Sequence, residues 1–169
     1  GGAGDDTLDG DLGDDTLVGG LGRDIINGGV GTDLVSYAGA SGSVTVNLAT
    51  PAANGADGRD TLISIEGVEG SGFDDVLTGS DVNNVLIGGA GNDSILGAGG
   101  DDSIAGGAGL DTLDGGIGND TLLGGADDDT LSDGSGINIL AGGTGNDTYI
   151  VGVGDTIVEL AGEGLDTVQ

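Results

Sequence analysis

A nine-residue pattern runs through most of this chain, with the form Gly-Gly-any-Gly-any-Asp-any-aliphatic-any. Its clearest copies are GGAGNDSIL, from Gly88 to Leu96, and GGIGNDTLL, from Gly115 to Leu123. Four copies follow one another over residues 1–36 and nine over residues 70–150, which makes thirteen. A repeat this short can bury its apolar side only against its neighbours, so the chain is predicted to form a solenoid.

Two positions of the repeat have nearly constant chemistry. Position eight is aliphatic in twelve copies and aromatic in one, which predicts an apolar core column. Position six is Asp in eleven copies and Asn in two, so an oxygen ligand recurs in every repeat. The position-six residues are Asp6, Asp15, Asp24, Asp33, Asp75, Asn84, Asp93, Asp102, Asp111, Asp120, Asp129, Asn138 and Asp147. Position one is Gly in twelve copies and position four in ten, as expected of turns that need positive φ and a close approach of the backbone.

Each repeat is predicted to form a six-residue turn and a three-residue strand, and two repeats then complete one coil of an all-β fold. Position-six residues two repeats apart would stack at the strand spacing of about 4.8 Å, where two carboxylates repel each other. A hard cation that takes six or more oxygen ligands at about 2.3–2.6 Å fits between them. Calcium is the cation with these preferences.

The nonapeptide resembles the calcium-binding repeat of RTX proteins (repeats-in-toxin, haemolysin-type). This resemblance implies a right-handed parallel β-roll, a parallel β-helix with two repeats per coil. It also implies that calcium lies between stacked turns, held by position-six carboxylates and by backbone carbonyl groups of positions one to four. The implied backbone ligands are Gly2, Gly4, Gly20, Gly22, Gly89, Gly91, Gly100, Gly106, Gly107, Ala108, Gly109, Gly115, Gly116, Ile117, Gly118, Gly124, Ala126, Gly143 and Gly145.

The number of ions follows from the stacked pairs. Nine pairs of position-six residues two repeats apart have an oxygen side chain on both members, so about nine calcium ions are expected. Asn84 and Asn138 are expected to make weaker sites, because a neutral amide is a poorer ligand than a carboxylate. Phe73, Val82 and Asp127 replace the position-four Gly, and we expect their turns to be distorted.

Two segments leave the register of an otherwise single solenoid. Residues 37–69 separate the first repeat block (1–36) from the second (70–150), and residues 151–169 form a tail coil. In residues 37–69 we expect irregular coils with wider turns: a strand at Val44–Leu48, a turn over Thr50–Asp60 and a strand at Leu62–Ile65.

Two interpretations are open for the role of three acidic residues in the irregular coils. Asp57, Asp60 and Glu66 could bind an additional ion. Solvated acids are the favoured interpretation.

The composition supports a fold that depends on cations. The chain has 42 Gly, 26 Asp and 4 Glu, against no Lys and two Arg, for a formal net charge of −28. Nine divalent ions would neutralise 18 of these charges. Without them, self-repulsion and the entropy of ordering so many Gly oppose compaction. Metal binding and folding are therefore expected to be one event.

Missing residue types exclude several functions. Without His or Cys, the chain has no ordinary zinc ligands, no Cys nucleophile and no Ser-His-Asp triad, so we expect no enzyme within these residues. Nucleic acid is not an expected partner, because phosphate contacts require a basic surface. No apolar run reaches the roughly 18 residues of a transmembrane segment.

The resemblance implies a calcium-binding module of a secreted, extracellular or cell-surface bacterial protein, exported by one-step (type I) secretion and folded by calcium outside the cell. Two alternatives remain open: a structural repeat of a surface adhesin, fibre or S-layer protein, and an accessory block of a secreted protease, lipase or alginate epimerase. Because the terminal strands carry no polar cap, end-to-end self-association is also expected. Gly1 opens inside a repeat, so we expect the sequence to be part of a larger protein.

Overall fold

A computed structural model of residues 1–169 shows an all-β solenoid without helices, in which the chain alternates between two long sheets. The first, an eight-strand sheet, contains β3 (Thr16–Leu17), β6 (Leu34–Ser36), β10 (Gly67–Glu69), β12 (Val85–Ala90), β14 (Ser103–Ala108), β16 (Thr121–Ala126), β18 (Ile139–Thr144) and β20 (Thr156–Ile157).

The second, an eleven-strand sheet, contains β2 (Thr7–Asp9), β5 (Ile25–Asn27), β7 (Val44–Asn47), β8 (Ala52–Gly55), β9 (Gly58–Ile63), β11 (Val76–Thr78), β13 (Ser94–Leu96), β15 (Thr112–Asp114), β17 (Thr130–Ser132), β19 (Thr148–Ile150) and β21 (Thr167–Val168). A short sheet pairs β1 (Gly2–Ala3) with β4 (Gly20–Leu21).

Parallel pairing with a shift of two repeats builds the second repeat block. Ile95 pairs with Leu113 and Leu113 with Leu131 in one sheet, while Leu86 pairs with Ile104 in the other. These position-eight side chains are buried and form the core between the sheets. The predicted β-roll with two repeats per coil is thereby confirmed.

Strand length differs between the two faces. Strands of the second block have three residues in the eleven-strand sheet, as predicted, but β12, β14, β16 and β18 have six. In these longer strands, pairing continues past the core residue into the Gly-rich positions, as in the pairs Gly89–Gly107 and Ala90–Ala108. The turn on that side is therefore shorter than predicted.

Residues 37–69 contain the one departure from parallel pairing. Strand β8 pairs antiparallel with both β7 and β9, so the eleven-strand sheet has the order β5-β9-β8-β7-β11. Only β10 fills the corresponding place in the eight-strand sheet. The turn expected over Thr50–Asp60 was therefore wrong in extent, because most of that stretch is strand.

Candidate metal centre

Position-six side chains stack in two columns, one beside each long sheet, because each of them directly precedes a strand. In the second block, Oδ1 of one residue accepts the backbone N–H of the position-six residue one coil earlier. The Asp93 N–H donates to Asp111 Oδ1 at 2.8 Å, and the Asp111 N–H donates to Asp129 Oδ1 at 2.8 Å. The other column repeats this contact between the Asp102 N–H and Asp120 Oδ1 at 2.9 Å. Each ladder uses one carboxylate oxygen and leaves the second free.

The free oxygens are buried. All are Oδ2 atoms without any hydrogen-bond partner, and they belong to Asp15, Asp24, Asp33, Asp93, Asp102, Asp111, Asp120, Asp129 and Asp147. An unpartnered buried carboxylate oxygen costs several kcal/mol in order of magnitude, unless a cation or a proton compensates it. Nine such atoms in regular columns point to bound cations rather than to an accident of packing.

Backbone carbonyl oxygens add to this set. The position-four carbonyls of Gly91 and Gly109 and the position-one carbonyls of Gly97 and Gly115 accept no hydrogen bond. Each turn thus presents carbonyl and carboxylate oxygens together, without nitrogen or sulfur. A donor set made only of oxygens fits calcium.

Position-three carbonyls, which were also among the implied ligands, are already engaged. The carbonyl of Ala108 accepts the Gly91 N–H at 2.9 Å, and that of Ile117 accepts the Gly100 N–H at 3.0 Å. Ala126 is bonded in the same way. Carbonyl groups of positions one and four thus keep both lone pairs for a metal ion, whereas those of position three keep one.

Steric crowding explains why position one of the repeat is Gly. A Cβ on Gly115 would lie 2.5 Å from Asp120 Oδ2 and 3.0 Å from the Asp133 carbonyl oxygen. Position-one Gly residues do not have positive φ, contrary to our expectation. Positive φ occurs at positions two and four instead, as at Gly107 (120°) and Gly109 (123°).

Not every predicted ligand has a free oxygen. Ser71 replaces Gly at position two, and its N–H and hydroxyl donate to Asp75 at 2.5 and 2.8 Å. The Ser80 N–H likewise donates to Asn84 Oδ1 at 2.7 Å. These two turns are altered, as expected from Phe73 and Val82, neither of which has positive φ.

The two remaining irregular turns of the second block behave differently. Asp127 has a φ of 78°, so its turn keeps the usual form, and our expectation of distortion was wrong there. Asn138 stays in the ladder, because its Oδ1 accepts the Asp120 N–H at 2.6 Å. Its Nδ2 donates to the Asp133 carbonyl at 3.4 Å, which leaves the amide no free acceptor comparable to Oδ2.

Four acids outside the repeats occupy position-six places, to which the nine-residue period does not assign them. Asp60 Oδ1 accepts the Asp24 N–H, Glu66 Oε2 accepts the Asp33 N–H, Asp155 Oδ1 accepts the Asn138 N–H and Asp166 Oδ1 accepts the Asp147 N–H, at 2.8–3.1 Å. Asp60 is 6% exposed and also accepts the Tyr37 hydroxyl, so solvated acid was the wrong interpretation for it. The available signal was an acid two positions before an aliphatic residue, which all four share with the repeats.

A second ladder runs along the exposed side of the turns and was also missed. Position-five Asp and Asn side chains accept the position-five N–H of the next coil, as Asn92 Oδ1 does from Leu110 at 2.8 Å. The Asn119 N–H donates to Asp101 Oδ1 at 2.8 Å. These contacts run in the direction opposite to that of the buried ladder and hold the turns in register.

Burial raises the pKa of six position-six carboxyl groups, those of Asp93, Asp102, Asp111, Asp120, Asp129 and Asp147. The pKa of Asp93 is raised to about 6, and those of Asp102 and Asp129 to about 7. Desolvation is the main cause, backbone N–H donors oppose it, and neighbouring carboxylates such as Asp111 raise the pKa further. A divalent cation in contact with these oxygens would reverse the balance and favour the ionised form.

Comparison with known families agrees with this geometry. The model of the RTX calcium-binding nonapeptide repeat matches the chain four times, at residues 1–35, 69–104, 96–131 and 123–158. No curated protein matches the chain. No helix in the structure is long and apolar enough to span a membrane.

Proposed function

The chain belongs to the RTX calcium-binding nonapeptide repeat family, and on this premise we propose that it is a calcium-folded module of a secreted or cell-surface bacterial protein. The observation that carries the proposal is the set of nine buried, unpartnered Oδ2 atoms. Two Arg are the only cationic side chains of the sequence, and none of the nine oxygens has a donor partner, so the compensating charge must come from solution, as metal cations or, at low pH, as protons. In a compartment poor in calcium the chain would stay unfolded, and outside the cell it would fold.

We place the ions between stacked turns, where each would contact position-six carboxylates of adjacent coils and the free carbonyl oxygens of positions one and four. The nine stacked pairs of the repeats support about nine ions. The turns at Asp75 and Asn84 would bind more weakly, because Ser71 and Ser80 already donate to their side chains.

The size of the calcium effect is comparable to the stability of a domain. Extracellular calcium modules bind at about 10⁻⁴ to 10⁻³ M. At about ten times the dissociation constant, each site contributes about 1.4 kcal/mol, and nine sites contribute on the order of 13 kcal/mol. A typical domain has a free energy of unfolding of about 5–15 kcal/mol.

Circular dichroism in chelator and then in millimolar calcium tests the proposal. We expect the spectrum to change from that of an unfolded chain to that of a β-protein as calcium is added. Magnesium at the same concentration is the control, because its strict octahedral geometry suits these turns poorly. A complete β-spectrum in chelator would contradict the proposal.

We further propose that the four segments 1–36, 37–69, 70–150 and 151–169 fold as one solenoid. Its host would be a protein exported by type I secretion, either a surface adhesin, fibre or S-layer protein, or a secreted RTX enzyme in which this block is accessory. The repeat itself is a structural calcium-binding unit, so any catalytic residues of such an enzyme would lie elsewhere.

Self-association through the solenoid ends is the second candidate function. The terminal strands of the two long sheets, β2 and β3 at one end and β20 and β21 at the other, each have one unpaired edge, and Val168 is 58% exposed. Calcium would order these edges and also remove much of the charge that keeps chains apart. Sedimentation at several protein concentrations in millimolar calcium should show assembly that chelation reverses, whereas a monomer at all concentrations would contradict it.

A further inference from the structure

The tail coil carries a carboxylate cluster that the nonapeptide pattern does not contain. Strand β21 pairs with β19, and the Asp147 N–H donates to Asp166 Oδ1 at 2.9 Å. These two residues are 19 apart instead of the 18 of the regular ladder, and the segment between them supplies Glu159. One carboxylate oxygen from each of Asp147, Glu159 and Asp166 lies within 4.8 Å of the other two.

One member of the cluster has an unsatisfied oxygen. Asp147 is 1% exposed, its Oδ1 accepts the Asp129 N–H, and its Oδ2 has no hydrogen-bond partner. Because calcium binds oxygens at about 2.3–2.6 Å, oxygens up to about 5 Å apart can share one ion. The observed spacing falls within that limit.

Tyr149 explains how the exposed Glu159 is held in place. It is the only aromatic residue in the core column, and its side chain is completely buried. Its hydroxyl accepts the Gly142 N–H at 2.5 Å and donates to Glu159 Oε1. An aliphatic residue, as found at this position in the other repeats, could not make either contact.

We propose that Asp147, Glu159 and Asp166 bind a hard divalent cation, with Tyr149 as a positioning residue for Glu159. The site differs from those between the repeats, because it has three side-chain carboxylates and two of them, Glu159 and Asp166, lie outside every repeat. The ion would join the tail coil to the last regular repeat. The tail would then dock in a step separate from folding of the repeat block.

Terbium, a luminescent substitute for calcium, tests the site directly. The chain has two Tyr and no Trp, so in a Tyr37→Phe background Tyr149 is the only efficient sensitiser of bound terbium. We expect Glu159→Gln to weaken terbium binding, measured by this emission, by at least about tenfold, since affinity follows the charge count of the ligands. The matched control is Glu163→Gln, which removes the same charge from the same tail but lies outside the cluster.

The outcomes separate this proposal from the calcium-folding proposal. Equal effects of Glu159→Gln and Glu163→Gln, or no emission sensitised by Tyr149, would overturn the tail site. Circular dichroism of the same variants in calcium reports on the repeat block independently. If the calcium-induced β-spectrum is intact while the two variants bind terbium equally well, the tail site fails and the calcium-folding proposal stands.

A test of the role of Tyr149 must measure a property that a change in core packing alone would not alter. We expect Tyr149→Phe to raise, by about tenfold, the calcium concentration at which the Thr167 amide becomes protected from hydrogen exchange. This amide donates to the Asp147 carbonyl and so reports docking of the tail. If Tyr149 acts through Glu159, adding Glu159→Gln should have little further effect. Fully additive effects would show that Tyr149 does not position Glu159.

Discussion

The second repeat block (70–150) and the irregular segment (37–69) contribute strands to the same two long sheets, yet different interactions stabilise them. In the repeat block, buried carboxylates lie one coil apart along both faces, and Oδ2 atoms remain without partners. In the irregular segment, β7, β8 and β9 form an antiparallel meander over buried Val44, Val46 and Ala53. Its one buried acid, Asp60, has both oxygens satisfied by the Asp24 N–H and the Tyr37 hydroxyl.

We infer from this difference that the buried carboxylate columns, rather than the burial of a β-sheet core, create the proposed need for calcium in this chain. Local antiparallel pairing closes the meander between Val44 and Ile63, whereas each strand pair of the repeat block joins residues separated by two Gly-rich repeats. Closing those loops and ordering their Gly costs conformational entropy that a single buried aliphatic residue per repeat does not offset. We propose that bound cations supply the remaining stability.

The largest expected effect comes from removing calcium. In chelator, amides of residues 85–150 should lose their hydrogen-exchange protection completely, because their strands depend on the carboxylate columns. Amides of β7–β9 should retain measurable protection, since their pairing is local. Hydrogen exchange resolved by residue measures both regions in one sample, and an equal loss of protection in the two regions would contradict their proposed difference.

The next effect concerns position within a column. Asp111 contacts the coils of both Asp93 and Asp129, whereas Asp6 has only Asp24 as a neighbour. At about ten times the dissociation constant, Asp111→Asn should cost about 3 kcal/mol by weakening two ions, and Asp6→Asn about 1.4 kcal/mol by weakening one. Chemical denaturation at fixed calcium measures the difference, and equal costs would argue against shared ions. Asn is a suitable replacement because Asn138 already occupies the same kind of ladder.

Gly106 in the repeat block and Gly39 in the irregular segment have different surroundings. A Cβ on Gly106 would lie 2.8 Å from both Cβ and Cγ of Asp111, so Gly106→Ala should destabilise the calcium-bound protein by about 2 kcal/mol. Gly39, in the irregular segment, has nothing within 4 Å of its Cβ position and no positive φ. Gly39→Ala should therefore be neutral or stabilise by up to about 1 kcal/mol, through the unfolded chain. Thermal unfolding of both variants tests the pair, and an equal loss in the two would contradict the steric role of position one.

Periodicity predicts the repeat block well because a fixed period converts directly into spatial register. The repeat places Leu113 beside Ile95 and Leu131, and it places Asp111 beside Asp93 and Asp129, without any knowledge of tertiary structure. The sequence alone therefore predicts both the family and the β-roll.

The irregular parts could not be predicted in the same way. Ala52–Gly55 has little strand propensity and becomes β8 only because β7 and β9 flank it, a tertiary effect. The sequence shows acids at Asp155 and Asp166, but their spacings to Asn138 and Asp147 are 17 and 19 instead of 18, so the period alone does not assign them to the columns. The third carboxylate of the tail cluster, Glu159, belongs to no repeat. Only its contact with the Tyr149 hydroxyl, seen in the structure, locates it in the cluster.

The smallest expected effect is a dependence on pH that changes sign with calcium. Burial raises the pKa of Asp93 to about 6 and those of Asp102 and Asp129 to about 7, from 3.8. Between these values and 3.8 the folded, calcium-free chain binds more protons than the unfolded chain, so its stability falls as pH rises through this window. In chelator, lowering the pH from about 7.5 to about 5.5 should therefore increase the β-signal.

In calcium the same change should raise the calcium concentration at the folding midpoint, because protons compete for the carboxylates. The range stays above the pI of about 4.1, where precipitation would obscure the result. A gain of structure on acidification confined to β7–β9, detected by hydrogen exchange, would contradict the assignment of this effect to the carboxylate columns.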